Sequence, residues 1–237
     1  MLAIYYEHPD WFQPLFAELD RRRTPYVLLH AGEHQFEPAN GAPPYRLLFN
    51  RMSPSAYLRG HGSAVFYTLH FLSQLERAGV RVINGADAYR TEISKAGQLS
   101  LLGTLGLPFP RARVIHDPCQ AATAAQGLRF PILVKPNVGG SGAGIRRFEA
   151  PSEVAEAAAA GALEVGPDST ALVQEFIPAE EGRITRVEVL GGKFLYGIRV
   201  YSPGDVFNLC PADVCQTVGG AQLERSACPV DAPDHGL

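Results

Sequence analysis

Residues 135–144 carry the densest chemical pattern in the chain: Lys135-Pro136-Asn137-Val138-Gly139-Gly140-Ser141-Gly142-Ala143-Gly144. Gly139, Gly140, Gly142 and Gly144 let consecutive backbone N–H groups turn inward without Cβ clashes, which makes a concave nest for phosphate oxygens. Lys135 ends an otherwise apolar run, FPILVK, so its ammonium must reach water or meet an anion. Lysine and nest together point to a bound phosphate; a ligand-free glycine hairpin is the alternative. The P-loop is excluded, because Ile145-Arg146 stand where that motif needs Lys and Ser or Thr. The dinucleotide fingerprint is excluded too, since its glycine spacing fits nowhere in the loop. Both motifs also need a helix directly afterwards, and IRRFE reads as a strand.

Two later segments add chemistry. Residues 171–177 read as a strand stopped by Pro178, and its end, Gln174-Glu175-Phe176-Ile177, offers alternating N–H and C=O groups to a planar base, or is an ordinary strand end with a solvated acid. Residues 184–190 and 193–201 then flank Gly191-Gly192, a two-residue hairpin turn that needs positive φ at both positions. Alternation sets Arg186 and Glu188 against Val187 and Val189, with Arg199 opposite in parity to Ile198 and Val200. The expectation is one charged face bearing both arginines. Such a pair could neutralise a phosphoryl group or clamp a carboxylate, or could simply salt-bridge with Glu188 at the surface.

The elements that must position these groups follow from periodicity. An apolar run at 2–6 precedes Phe12, Leu15, Phe16 and Leu19 at helical spacing, with Pro14 suited to the first turn. Strands are expected at 26–30, 46–50 and 80–83, the chain being broken by Gly41, Pro43 and Pro44 before the second of these. Ser63 is expected to cap a helix burying Phe66, Leu69, Leu72 and Leu75 and ended by Gly79. Strand and helix in alternation imply a small parallel sheet with right-handed crossovers. Trp11, Phe12 and Phe66 belong to its core, and Arg51, past the third strand, reads as solvated although ligand groups sit at such places. One helix is expected over 91–105, with Ile93, Leu99, Leu102 and Leu105 apolar and Lys95 its single basic residue, and an alanine-rich helix over 152–160.

Composition sets the bounds. The chain has 237 residues, 46% of them hydrophobic and 9% aromatic, enough for a core and too apolar for a disordered chain. Lys+Arg 21 against Asp+Glu 24 leaves a net charge of -3, with no electrostatic footprint for a nucleic acid. No stretch approaches the roughly 18 apolar residues of a membrane helix, and the start has no basic leader. Four cysteines are too few for a disulfide scaffold, so a reducing, cytoplasmic setting is expected.

Taken in order, the helix with Lys95, the strand ending Lys135-Pro136, GGSGAG, VQEFIP, TRVEVLGGKFLYGIRV and Asp205-Val206-Phe207-Asn208-Leu209 resemble the ATP-grasp superfamily. The likeness is to its glutathione-synthetase-like and ribosomal-protein glutamate ligase (RimK)-like branch. GVRVINGADAYRTEISKAGQLSLLGTLGLPFP is similar to that branch's junction between first and second domains. Motifs carry the resemblance over about residues 80–210, and fold pattern alone over 1–79. It implies an α/β (α+β) fold: a parallel pre-ATP-grasp domain over 1–90, a central lobe with a glycine-rich lid over 91–170, and an incomplete C-terminal lobe over 171–237, with ATP between the two lobes. Lys95 and Lys135 would then hold ATP phosphates. Gly139, Gly140, Ser141, Gly142 and Gly144 would form the mobile lid, and Gln174, Glu175, Phe176 and Ile177 would read the adenine edge. Arg186, Arg199 and Asn208 would serve catalysis, Asn208 also as a Mg²⁺ ligand.

The reaction implied is ATP-dependent ligation of a small-molecule or peptide carboxylate to an amine through an acyl phosphate. No nucleic acid or membrane partner is implied, and an oligomer is left open. Two positions depart from the branch. Ile184 stands where the branch has a carboxylate, so a ribose contact falls to Glu180 or Glu181. No asparagine follows Asn208, and Asp213, Glu224, Asp231 and Asp234 lie in a Gly- and Pro-rich stretch, so the metal-binding end of the fold is expected to be missing. A non-catalytic nucleotide-binding or scaffold module is the competing class, with Cys210, Cys215, Cys228 and His235 as a conceivable zinc set.

Overall fold

A computed structural model describes residues 1–8, 10–38, 43–140 and 142–201. Its first layer is built from β1 (Leu2–Tyr6), α1 (Gln13–Arg21), β2 (Tyr26–His30), β3 (Leu47–Arg51), a 3-10 turn at Pro54–Arg59, α2 (Gly62–Arg77) and β4 (Arg81–Ile83). The strands pair in the order β2-β1-β3-β4, all parallel, with Ile4 between Leu28 and Phe49. Because β1 is central, both its faces are covered, as its near-continuous apolar sequence requires. Ala3 and Tyr5 pack with Leu48, Val65, Phe71 and Leu72, while Ile4 packs with Phe12 and Phe16. Arg51 is exposed, its guanidinium 5.1 Å over the Phe12 ring and 5.4 Å over Phe49.

Two helix boundaries differ from the sequence expectation. The residue before α2 is His61, not Ser63, and it makes no capping bond, because its Nδ1 is taken by Glu7. The helix expected over 91–105 is two helices, α3 (Ala86–Glu92) and α4 (Lys95–Thr104). The Ser94 hydroxyl accepts the Gly97 N–H at 3.0 Å, so a new helix starts at Lys95. None of the α4 residues is fully buried, and Leu105 after it is 61% exposed.

The second sheet joins β5 (Ala112–Ile115), β6 (Ile132–Pro136), β7 (Arg146–Phe148) and β8 (Ala171–Glu175) in the antiparallel order β5-β8-β6-β7. One face packs Ile132, Val134, Ala171 and Val173 against Ala121, Val154 and Ala157 of α5 (Ala121–Ala125) and α6 (Pro151–Ala159). Register puts Leu133, Lys135, Leu172 and Gln174 on the other face. The last element is an antiparallel ribbon of β9 (Arg183–Leu190) and β10 (Lys193–Tyr201), turned by Gly191 (φ 59) and Gly192 (φ 76) as its two-residue loop demands.

Candidate functional site

Two lysines converge beside the glycine loop. Lys95 is the first residue of α4, and its Nζ donates to the carbonyl oxygens of Asn137 at 3.1 Å and Gly139 at 3.3 Å. Burial pushes its pKa down from 10.5 to about 8, Lys135 adding to the depression and Asp168 opposing it. Lys135 also titrates below its usual value, because burial penalises its charge. Two half-buried amines that repel each other mark a place short of negative charge.

Asn137, which sequence reading treated only as part of the turn, ties this corner together. Its Oδ1 accepts the Ala96 N–H at 2.8 Å and the Ser94 hydroxyl at 3.3 Å, and its Nδ2 donates to Asp168 at 2.6 Å. The first turn of α4 is therefore fastened to the end of β6. The loop itself is tightly enclosed. Gly139 has φ 155, and a Cβ there would stand 3.3 Å from the Tyr57 hydroxyl and 3.7 Å from Lys95 Nζ. Gly144 has φ 69 and would bring a Cβ within 2.7 Å of Pro136 Cγ. Only glycine fits either position. Gly142 shares the positive φ, at 72, while a Cβ on Gly140 would meet Ser55 Cβ at 3.4 Å. Ser141 lies outside the described residues.

At the end of β8, Gln174 faces the lysine side of the sheet, is 7% exposed, and its Oε1 has no hydrogen-bond partner among the described residues. Glu175 points to the opposite side and is no solvated acid: it is 6% exposed and accepts the Arg129 N–H at 3.0 Å. The N–H groups of Glu175 and Phe176 are given to Arg111 and Pro131 carbonyls at 2.9 Å. What this edge still offers is the Gln174 side chain and the exposed Ile177. Arg147, unremarked in the sequence, shares the Gln174 face by pairing with Leu133, and stacks 4.6 Å over Phe176.

The ribbon departs from the expected face pattern. A β-bulge between Phe194 and Tyr196 shifts the register, so that Ile198 opposes Arg186 and Arg199 opposes Thr185. Cross-strand partners share a face, so the two arginines lie on opposite faces. Arg186 and Glu188 are half-buried on the side of Val200, which is fully buried; Arg199 is exposed with Val187 and Val189. Glu181 pairs with Arg183 at 2.9 Å. Asn208, Cys210, Cys215, Cys228 and His235 lie outside the described residues. Among the described residues no group of three or more His, Cys, Asp or Glu could hold a metal ion, and no helix is long and apolar enough to cross a membrane.

No family model matches the chain. Over 130 residues it is 33% identical to a D-alanine–D-alanine ligase of Stutzerimonas stutzeri, covering 54% of this chain and 40% of that one. Over 178 residues it is 28% identical to a probable alpha-L-glutamate ligase of Methanococcoides burtonii, covering 74% and 58%. These matches thus span about half the length of the curated relatives. Among solved structures, a RimK domain protein described as ATP-grasp, from Sphaerobacter thermophilus, superposes with TM-score 0.62 at 20% identity over 86% of this chain and 87% of that one. D-cycloserine synthetase DcsG gives TM-score 0.60 at 16% identity, over 85% and 68%. The ligase PsnB, in complex with a precursor variant, Mg and ADP, gives 0.57 at 21%, over 86% and 73%.

Proposed function

We propose that this chain, which has the ATP-grasp fold in its RimK-like form, binds ATP and works as an ATP-dependent carboxylate–amine ligase. The observation that carries the reading is the pair Lys95 and Lys135. Both pKa values are depressed, and the two amines flank a loop whose Gly139 and Gly144 admit no side chain. A triphosphate would relieve both amines at once, and the glycine N–H groups would add donors. The orphaned Gln174 Oε1 is a buried acceptor on the same face, suited to the exocyclic amine of adenine.

In this reading the substrate carboxylate attacks the γ-phosphorus, ADP leaves, and an amine displaces phosphate from the acyl phosphate. The lysines and Arg186 hold and neutralise the transferring group. Mg²⁺ would accompany the nucleotide and screen its charge; the described residues supply no ligand set for it, and Asn208 is the residue proposed to hold it. Division at about residues 90 and 170, a cytoplasmic setting, and carboxylate and amine substrates complete the proposal. Its test is calorimetric titration of ATP and ADP. Lys135→Ala should cost about 1.5 to 3 kcal/mol of binding, the worth of a charge-assisted contact. Equal affinity for wild type and mutant would overturn it.

A further inference from the structure

Strand β5 is an outer strand of its sheet and pairs only with β8. The Glu175 N–H donates to the Arg111 carbonyl at 2.9 Å, so these two residues form a hydrogen-bonded antiparallel pair. Alternation along the register then turns the N–H and C=O of Arg113 and Ile115 towards β8, and those of Ala112 and Val114 away from it. None of these four outward groups has a hydrogen bond among the described residues. The open row is bounded at both ends: Pro110 has no N–H, and the His116 N–H is given to Gln120 Oε1 at 3.1 Å. An edge of this kind is a template for another extended chain.

Beside the edge lies a groove of about 850 Å³, with Arg113, Val114 and His116 on the strand side and Cys119, Thr123 and Gln126 across it. No carboxylate lines it. Arg113 opposes Val173 and so lies on the helix-covered face of the sheet. Its Nη1 donates to the carbonyls of Ala124 at 2.6 Å and Gln126 at 2.5 Å, which fixes the guanidinium at the end of α5. Nε and Nη2 of Arg113 are left without a partner among the described residues. Arg111, on the same face, is tied to the Gly127 carbonyl at 3.1 Å. Val114 opposes Leu172 on the other face and is 54% exposed.

We infer that the outer edge of β5 is an interaction surface for an extended acidic peptide, which adds to the sheet as a further antiparallel strand. The N–H and C=O groups of Ala112 and Val114 hold the peptide backbone, and side chains at alternate positions give specificity. Cross-strand partners share a face, so a peptide residue opposite Arg113 lies beside its free guanidinium donors and one opposite Val114 lies on that exposed valine. An acid suits the first position and an apolar side chain the second. A second copy of this chain, paired through the same edge, would instead set its own Arg111 and Arg113 beside these, and like charges across a strand pair are unfavourable. The site lies apart from the lysines and the glycine loop, and it does not depend on the ligase reading.

The test is backbone ¹H–¹⁵N correlation of the full chain, with the capped hexapeptide VEVEVE as the probe. The Ala112 and Val114 amide signals should move saturably, and both amides should exchange with solvent about tenfold more slowly in the complex. VKVKVK should bind about tenfold more weakly, the worth of one lost charge-assisted bond. VEVEVE carrying N-methyl groups on its valines, the residues that face Ala112 and Val114, should not bind. Val114→Pro removes an outward N–H that no described group accepts, so this variant should fold and lose about tenfold in peptide affinity. The N-methylated peptide carries the test if Val114→Pro does not fold. No movement at millimolar VEVEVE, movement that spares Ala112 and Val114, or equal binding of VKVKVK or of the N-methylated peptide would overturn the inference. Protection of the two amides that rises with protein concentration alone would overturn it as well, by making a second copy the occupant.

Discussion

Ile198, not Arg199, stands opposite Arg186 across the terminal ribbon. The two arginines therefore cannot act on one ligand from one face of the sheet. Arg186 shares its face with buried Val200, whereas Arg199 is on the exposed side. Arg186→Ala should weaken nucleotide binding by about 1.5 to 3 kcal/mol, and Arg199→Ala by no more than a few tenths. Calorimetric titration of both variants decides it, and equal losses would mean that both side chains reach the nucleotide.

The depressed Lys95 sets a pH dependence with a defined sign. Its folded pKa of about 8 lies below its ordinary 10.5, so between these values the unfolded chain binds more protons than the folded one. Stability of the ligand-free protein should rise from pH 8 towards 10.5 on account of this group. Nucleotide phosphates would raise the Lys95 pKa again, so binding near pH 8 should take up protons and affinity should fall above that pH. Titrations in buffers of different ionisation enthalpy measure the uptake; its absence at pH 8 would count against Lys95 as a phosphate ligand.

What could be read from the sequence was local. Apolar runs gave the parallel sheet, Gly191-Gly192 gave the hairpin, and Lys135 beside four glycines marked the candidate phosphate loop. Alternation alone does not reveal the bulge near Leu195, whose one extra residue turns every later side chain of β10 to the opposite face. The Ser94 cap, which divides the stretch read as one helix, is hidden in the sequence by continuous helical spacing on both sides. Asn137 and the Glu7–Arg59–His61 set were hidden for a different reason. Glu7 and Arg59 are 52 residues apart, and Asn137 and Ala96 are 41 apart, so their meeting is a property of the packed chain.

Glu7 is held ionised against its burial. Desolvation works to raise its pKa, but hydrogen bonds from Arg59 and His61 outweigh it and bring the carboxyl below its usual range. A depressed carboxylate contributes stability that is present above the ordinary carboxylate pKa and lost as pH falls through the depressed one. Glu7→Gln should cost about 3 kcal/mol at neutral pH, because Arg59 loses its counter-charge. The same variant should flatten the acid limb of the stability curve, measured by urea unfolding at several pH values. A variant as acid-sensitive as wild type would assign that limb to other carboxylates.

Asn137 offers the sharpest separation between architecture and ligand contact. Asn137→Ala leaves the Ala96 N–H without its acceptor and Asp168 without its 2.6 Å donor, a stability loss of about 2 kcal/mol for two bonds made by a buried side chain. Lys95 should be affected indirectly, because it sits at the helix start that Asn137 fastens, and nucleotide affinity should fall although Asn137 itself is spent on protein groups. Asn137→Asp is the informative partner. It keeps the acceptor for Ala96 but sets a second carboxyl against Asp168, so one of the two must hold a proton or the pair must separate. Its stability should be low at neutral pH and approach that of the wild type as pH falls through the raised carboxyl pKa. Loss in Asn137→Asp that does not recover with acid would show that the Nδ2–Asp168 bond is not what holds the Asn137 side chain in place for Ala96.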